Sequence, residues 1–178
     1  MIEIAQLHSD ELKKKFHKTW FDDKYKYFHA DTHYSEIEID KDTWDRHQFV
    51  SLYAGYVRGY IGYCINRRTN NVDGLAVINF EDCNTTFSLD LGDIIIDIFE
   101  RYKFNKLNFS VIVGNPIEAS YDKLIEKYGG RVVGYFEKHA KLIDGKYYDE
   151  KFYEITAENY FKSKDKEDSN EKDIVITI

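Results

Sequence analysis

Asn115, Pro116, Ile117 and Glu118 stand in the order that opens a helix directly behind a strand. An asparagine side chain can accept an amide hydrogen of the first turn. A proline at the first helical position gives up an N–H that has no partner there, and a glutamate three residues after the asparagine can reach back to a backbone donor. The helix is therefore predicted to begin at Pro116, with Ile117, Tyr121, Leu124 and Tyr128 on one face and Gly129-Gly130 as its left-handed stop. The junction also leaves backbone N–H groups open at the helix mouth, and such groups attract a carbonyl or an anion. Two other groupings could do chemistry. His29, Asp31 and His33 lie within "HADTH", but no further side-chain ligand to complete a site is evident, so no metal is expected. Cys83 precedes a predicted helix, where a thiol can be activated, yet no histidine partner is identifiable and a buried or incidental thiol is the plainer reading.

These residues need elements to hold them. "MIEIAQL" alternates at period two and predicts a first strand. "SDELKKKFHKTWFDDKYKYF" predicts a helix capped by Ser9, with Leu12, Phe16 and Trp20 on its inner face and Lys13, Lys14, Lys15 and Lys18 on a solvated one. The segment from "HYSEIEID" to "RHQF" is a strand or a loop. From Gln48, "QFVSLYAG", "YVRGYIGYCINRRT" and "DGLAVINFED" are three apolar segments separated by turn residues, which predicts an antiparallel meander. In "LDLGDIIIDIFERYKF" Leu91, Ile94 or Ile95, Ile98 and Tyr102 recur with the helical period, while Asp90, Asp93, Asp97 and Glu100 lie mostly on other faces. "KLNFSVIV" is a strand, then comes the helix behind Asn115, then strands in "RVVGYFEKHAKLID" and "YDEKFYEIT" around the turn "GKY". Residues 1–161 form one expected domain, and 162–178, dominated by "KSKDKEDSNEKD", a charged and flexible tail.

A chain of 178 residues can bury one sizeable core, and a formal charge of -7 speaks against a nucleic-acid surface, which needs excess Lys and Arg. A cationic partner suits it better. Two cysteines without a CxxC, and no signal-like N-terminus, point to the cytoplasm. Apolar runs such as "IIIDIF" are far short of the about 20 residues that span a membrane.

The order strand, helix, several antiparallel strands, helix, strand, helix, strand, strand, together with "KLNFSVIVGNPIEASYDKLIEKYGGRVVGY", resembles the GCN5-related N-acetyltransferases over roughly residues 1–160. The resemblance implies an α/β (α+β) fold: a mixed, mostly antiparallel central sheet with helices on both faces. In it the fourth strand, "GLAVINFED", and the fifth, "KLNFSVIVGN", splay apart to admit the pantetheine arm of acetyl-CoA. It places the pyrophosphate loop on "CNTTFS", where the family's glycines are absent but Asn84, Thr85, Thr86 and Ser88 offer small polar donors. Asp90 and Asp93 would repel a phosphate if they pointed the same way.

The implied reaction is direct attack of a primary amine on the thioester. Backbone N–H groups near Ile78, with Phe80 and Asn115 beside the cofactor, would polarise the carbonyl. Tyr121, or Tyr128 after it, would protonate the leaving thiolate, and Glu81, or Asp82 beside it, would take the amine's proton. Tyr53, Tyr56, Tyr60 and Tyr63 could line an acceptor pocket and hold a cation on their ring faces, although some must be ordinary core. The acceptor is a small amine or a protein amine. A homodimer through the edge offered by the last strand is possible, as the family is often dimeric. A catalytically silent domain of the same fold that binds a partner through the cleft is the alternative.

Overall fold

The computed structural model describes residues 1–29, 37–81 and 85–175. Among the described residues four α-helices pack on one seven-stranded sheet. The elements are β1 (Ile2–Ile4), α1 (Ser9–Thr19), β2 (Arg46–Tyr53), β3 (Tyr56–Asn66), β4 (Asn71–Asn79), α2 (Thr85–Ile96), β5 (Lys106–Ile112), α3 (Glu118–Lys127), β6 (Arg131–Lys141), β7 (Tyr147–Thr156) and α4 (Ala157–Val175). Strand order is β1-β2-β3-β4-β5-β7-β6. Every neighbouring pair is antiparallel except β4 and β5, which run parallel because α2 carries the chain back across the sheet.

The three-strand meander is as the turn residues predict. Ala54 and Gly55 both take positive φ, 51° and 81°, which matches the twist of a two-residue hairpin between β2 and β3. The edge opposite β1 is β6, not the last strand: β7 inserts between β5 and β6, so the final hairpin folds back into the sheet.

Alternation then sorts the side chains. Ile61, Tyr63 and Ile65 of β3, with Leu107, Phe109 and Val111 of β5, face a large core closed by Phe87, Ile94, Ile95 and Ile98 of the α2 segment, Tyr121 and Ile125 of α3 and Tyr160 of α4. Tyr60 and Ile78 point to the other face, where Leu12 and Phe16 of α1 cover them with Val50, Leu52 and Val57. Each fully buried aliphatic or aromatic side chain contributes about 1.5–3 kcal/mol.

Several boundaries differ from the sequence pattern. The first strand stops at Ile4 and a 3-10 turn, Ala5–His8, leads into α1. Ser9 is the first residue inside that helix rather than its cap, and His8 at the cap position makes no side-chain bond to it. The helix ends at Thr19; a 3-10 helix, Asp23–Phe28, follows, started by Asp22 accepting the Lys24 N–H at 3.1 Å. The α2 helix begins at Thr85 and closes in a π-helical turn, Asp97–Arg101, sealed by Tyr102 N–H to Asp97 O at 2.8 Å.

At the other end, α4 occupies the stretch read as a charged tail. Tyr160 is buried, stacked on Phe99 at 4.6 Å and Tyr128 at 5.6 Å, and its hydroxyl donates to Glu100 at 2.6 Å. Lys164 donates to the same carboxylate and Lys162 to Glu158, so the charges are spaced for a helix face. Among the described residues no helix is long and apolar enough to cross a membrane.

Candidate active site

The parallel pair β4–β5 sets the site. These strands are in register only at Asn71–Lys106, Val72–Leu107 and Asp73–Asn108. Directly beyond, β4 carries a bulge: its register with β3 shifts between Gly62 and Cys64, so that Gly74 and Leu75 face the single residue Tyr63. Gly74 has φ +71°, with open space where a Cβ would stand, so glycine is needed there for its backbone conformation and not for room. The bulge turns β4 away, and the rest of β4 and β5 have no ladder between them.

The phase of the β3–β4 ladder decides which backbone groups face that gap. Phe80 N–H donates to Arg58 O at 3.0 Å, and Tyr60 pairs with Ile78 two residues further along. In an antiparallel pair hydrogen-bonded partners alternate, so the N–H groups of Ile78 and Phe80 are turned to β3. Those of Val77 and Asn79 are turned to the gap. This corrects the expectation centred on Ile78 and Phe80. The Ile78 side chain is buried over α1, and the Phe80 carbonyl accepts from the Tyr25 hydroxyl at 2.9 Å.

The gap opens into a cleft of about 840 Å³. Val77, Asn79 and Glu81 form its floor, one face of α2 (Ser88, Leu91, Gly92, Asp93) one wall, and Asn115 to Tyr128 the other. The 3-10 helix adds Lys24, Tyr25 and Phe28 at the rim. Ser88, Asn115 and Glu81 thus come together. Thr85 and Thr86 lie in the first turn of α2, not on a loop, and are not among the lining residues; Asn84 lies outside the described residues, as do Asp82 and Cys83. Asp90 does not face the cleft. It is 5% exposed and turned inward, accepting from Ser51 Oγ at 2.5 Å and pairing with the Met1 ammonium at 3.4 Å. Asp93 does line the cleft, across from Lys123 and Lys127.

The second wall is built with care. Asn115 Oδ1 accepts from Ile117 N–H at 3.2 Å, as a helix cap should, but the first regular helical residue is Glu118 rather than Pro116. The Glu118 carboxylate reaches back one residue further than the asparagine, to Gly114 N–H at 3.0 Å. Its other oxygen accepts from Lys151 Nζ at 3.3 Å, and Lys151 also donates to Asp122 at 2.6 Å. Burial alone would depress the Lys151 pKa; the hydrogen bonds with Asp122, Tyr153 and Glu118 outweigh it and raise the pKa instead. The same Lys151 bond holds the Asp122 carboxyl below the usual carboxylate range. A largely buried cation on β7 thereby pins the start of α3.

Tyr121 sits on the sheet side of α3, edge-on to Phe109 and Tyr153 at centroid distances of 5.0 and 6.1 Å. Phe109 is the first β5 residue past the last pair with β4. Among the described residues the Tyr121 hydroxyl has no hydrogen-bond partner, and burial pushes its pKa up, so it keeps its proton through the neutral range. It is not among the residues lining the wide cleft; Ser120, Leu124 and Tyr128 are. Glu81 is ion-paired to Arg58.

The tyrosines of the meander do not gather at the cleft. Tyr53 and Tyr56 are exposed at the β2–β3 turn, while Tyr60 and Tyr63 are core, bonded to Gln48 and His47. His29 is buried against Trp20 and Thr19; Asp31 and His33 lie outside the described residues, among which no set of three His, Cys, Asp or Glu side chains could hold a metal.

Sequence reasoning missed Val77 and Asn79, although period-two alternation in "GLAVINFED" separates Val77, Asn79 and Glu81 from Ile78 and Phe80. It also missed Lys24, Lys123 and Lys127. The spacing of the last two, four residues apart beside Ser120 and Leu124, was the available signal.

A mixed, mostly antiparallel sheet of seven strands, helices on both faces and one parallel pair that parts after three rungs are together the fold of the GCN5-related N-acetyltransferases. SpeG of Vibrio cholerae, a spermidine/spermine N-acetyltransferase solved with manganese ions, superposes with a TM-score of 0.57 at 20% identity, over 68% of this chain and 71% of that one. A mutant of SpeG, named spermidine N-acetyltransferase, gives 0.56 at 21% identity, over 67% and 70%. A protein described as a probable acetyltransferase gives 0.53 at 16%, over 63% of this chain and 62% of its own. The sequence matches no protein-family model and no curated protein.

Proposed function

We propose that the chain is an acetyl-CoA-dependent N-acetyltransferase that acts on a primary amine by direct attack. The observation that carries this reading is the parting of β4 and β5 after three residue pairs, into a cleft of about 840 Å³.

The residues present suit the donor. The slender thioester arm fits a gap between two strands, where the Val77 and Asn79 N–H groups stand ready for its amides or its carbonyl. Its phosphates suit the end of the cleft where Ser88 stands near the start of α2 and Lys123 and Lys127 stand opposite, with Asp90 turned away. Those lysines would supply the charge that the glycine-free run 83–88 does not supply by backbone alone. When bound, acetyl-CoA brings the activated acyl group. The chain's own part is to hold the carbonyl, exclude water and move two protons.

Tyr121, a phenol without a hydrogen-bond partner among the described residues and beside the first free residue of β5, is placed to give a proton to the leaving sulfur. Glu81, at the floor, is the base, with Arg58 fixing its carboxylate. The acceptor enters between Glu81 and the Tyr25–Phe28 rim. A polyamine-like cation suits these acids and the likeness to spermidine acetyltransferases; other small amines and protein amines remain in the same class. An enzyme of this kind works in the cytoplasm, and β6, with Val133, Tyr135 and Phe136 exposed, is its dimer edge.

A second reading is favoured by the Glu81–Arg58 pair and the missing glycines: a silent domain that uses the cleft only to bind. Acetyl-CoA should raise the melting temperature of the purified chain, since a ligand for the native state stabilises by mass action. Thiol release with an amine panel then separates the two. Stabilisation together with thiol release under an amine supports the enzyme; stabilisation with no release under any amine, or no stabilisation at millimolar acetyl-CoA, favours the silent domain.

A further inference from the structure

A second hollow, of about 570 Å³, lies at the other end of β4 and α2 from the cleft. Its walls are Trp44, His47, Arg67, Asn70, Tyr102 and Phe104, drawn from the segment before β2, from β2 itself, from the β3–β4 turn and from the residues after α2.

Three features of this hollow are those of a binding site. The first is its aromatic lining. The His47 ring meets Tyr102 at 4.8 Å and Phe104 at 6.4 Å, both edge-on, while Trp44 is 66% exposed, its indole left at the surface of a polar loop. The second is Arg67. Its guanidinium lies over the Trp44 ring at 4.5 Å, and Nε and Nη2 both donate to the Trp44 carbonyl. Nη1 is left over, and among the described residues no carboxylate pairs with Arg67. Asp42 also lines the hollow, its Oδ1 accepting the Trp44 N–H at 2.9 Å without an ion pair to Arg67, and nearby Arg101 is paired with Asp97.

The third is the protonation of His47. Tyr63 is 1% exposed and its hydroxyl has one partner among the described residues, His47 Nδ1, at 2.7 Å. Burial holds that phenol protonated, so it donates and Nδ1 accepts. The neutral imidazole therefore carries its hydrogen on Nε2. Asn70, held at φ 56°, gives Nδ2 to the Lys103 carbonyl at 3.1 Å and keeps Oδ1 as an acceptor.

A guanidinium with Nη1 to spare and an imidazole N–H beside aromatic walls define a ligand class. We propose that this hollow binds a small aromatic carboxylate, its ring against Trp44 and Tyr102 and its carboxylate on Arg67 and His47. The assignment is independent of the acyltransfer reading.

The test is a titration of the whole chain with benzoate, observed on the indole N–H signals of ¹⁵N-labelled protein. The sequence has two tryptophans, Trp20 and Trp44, and Trp44→Phe assigns them. The Trp44 signal should shift saturably and the Trp20 signal should not. Arg67→Gln, at an exposed position, should weaken benzoate about tenfold or more, and benzamide, the neutral isostere, should bind wild type as poorly. Cyclohexanecarboxylate should fall between. A linear, unsaturable Trp44 shift overturns the proposal, as does equal affinity for benzoate and benzamide, or an unchanged benzoate affinity in a folded Arg67→Gln chain.

Discussion

Asn108 donates from Nδ2 to Asp73 Oδ1 at 2.8 Å, across the last backbone pair that β4 and β5 share. One residue later β4 reaches Gly74 and turns away. The side-chain bond thus marks the fork from which the cleft opens, and Gly74 is the residue whose backbone makes the fork.

Gly74→Ala should therefore cost stability without any clash. Its φ of +71° asks a Cβ-bearing residue to sit in the left-handed region, at about 1–3 kcal/mol. Urea unfolding should show that loss, and acetyl-CoA should stabilise the variant less than it does wild type. Equal stability would mean that the bulge relaxes at no cost.

Lys151→Met leaves Glu118 and Asp122 without their shared cation. We expect a loss of about 2–3 kcal/mol, somewhat below the usual cost of breaking a buried pair because Asp122 is half exposed. The pH dependence should change as well. Asp122 is held below its unfolded pKa, so its contribution is complete above the ordinary carboxylate range and is lost as pH falls through its folded pKa. Acid unfolding of Lys151→Met should lack that share and run flatter between neutral pH and the carboxylate range. An unchanged acid limb would show that Lys151 is not what depresses Asp122.

Tyr121→Phe removes one hydroxyl from a packed ring and should leave folding nearly intact. If the proton for the leaving group comes from it, kcat should fall by about 10²-fold or more with little change in KM, while Tyr128→Phe should keep its kcat. The reverse pattern would move the role to Tyr128.

Tyr160→Ala tests whether α4 is integral to the fold. The ring is 2% exposed and stacked on Phe99 and Tyr128, so truncation should destabilise by about 3–5 kcal/mol, visible as a lower melting temperature. A change within error would return the segment to the status of a loose tail.

Much of the architecture was legible because the signals are local. Hairpin turns announce themselves in Ala54-Gly55, and the stop of α3 in Gly129, whose φ is +70°. Tyr121 follows from helical spacing, whereas the buried Ile125 was passed over for Leu124 and Tyr128, which are only partly buried. Helix starts were less legible: Ser9 and Pro116 fit cap rules, yet in each case the surrounding chain moved the first turn, by one residue at Ser9 and by two at Pro116. The α4 segment was lost to composition, since a high charge count hides that Tyr160 anchors it and that Lys162 and Glu158 pair along it. Within the site, alternation along β4 held the information that Val77 and Asn79 face the gap, but only the Phe80–Arg58 bond fixes the phase. The inward turn of Asp90 depends on Ser51, distant in sequence, and no local pattern could have shown it.

The sheet is two hairpin assemblies, β1 to β4 and β5 to β7, stitched by three rungs and by the helices that lie across them. Such a seam is the mechanically weak line of the molecule, and amide exchange should be quickest along the free stretches of β4 and β5. A ligand whose own amides reach both banks supplies the rungs that the chain lacks, so that occupancy of the gap and rigidity of the whole sheet become one property.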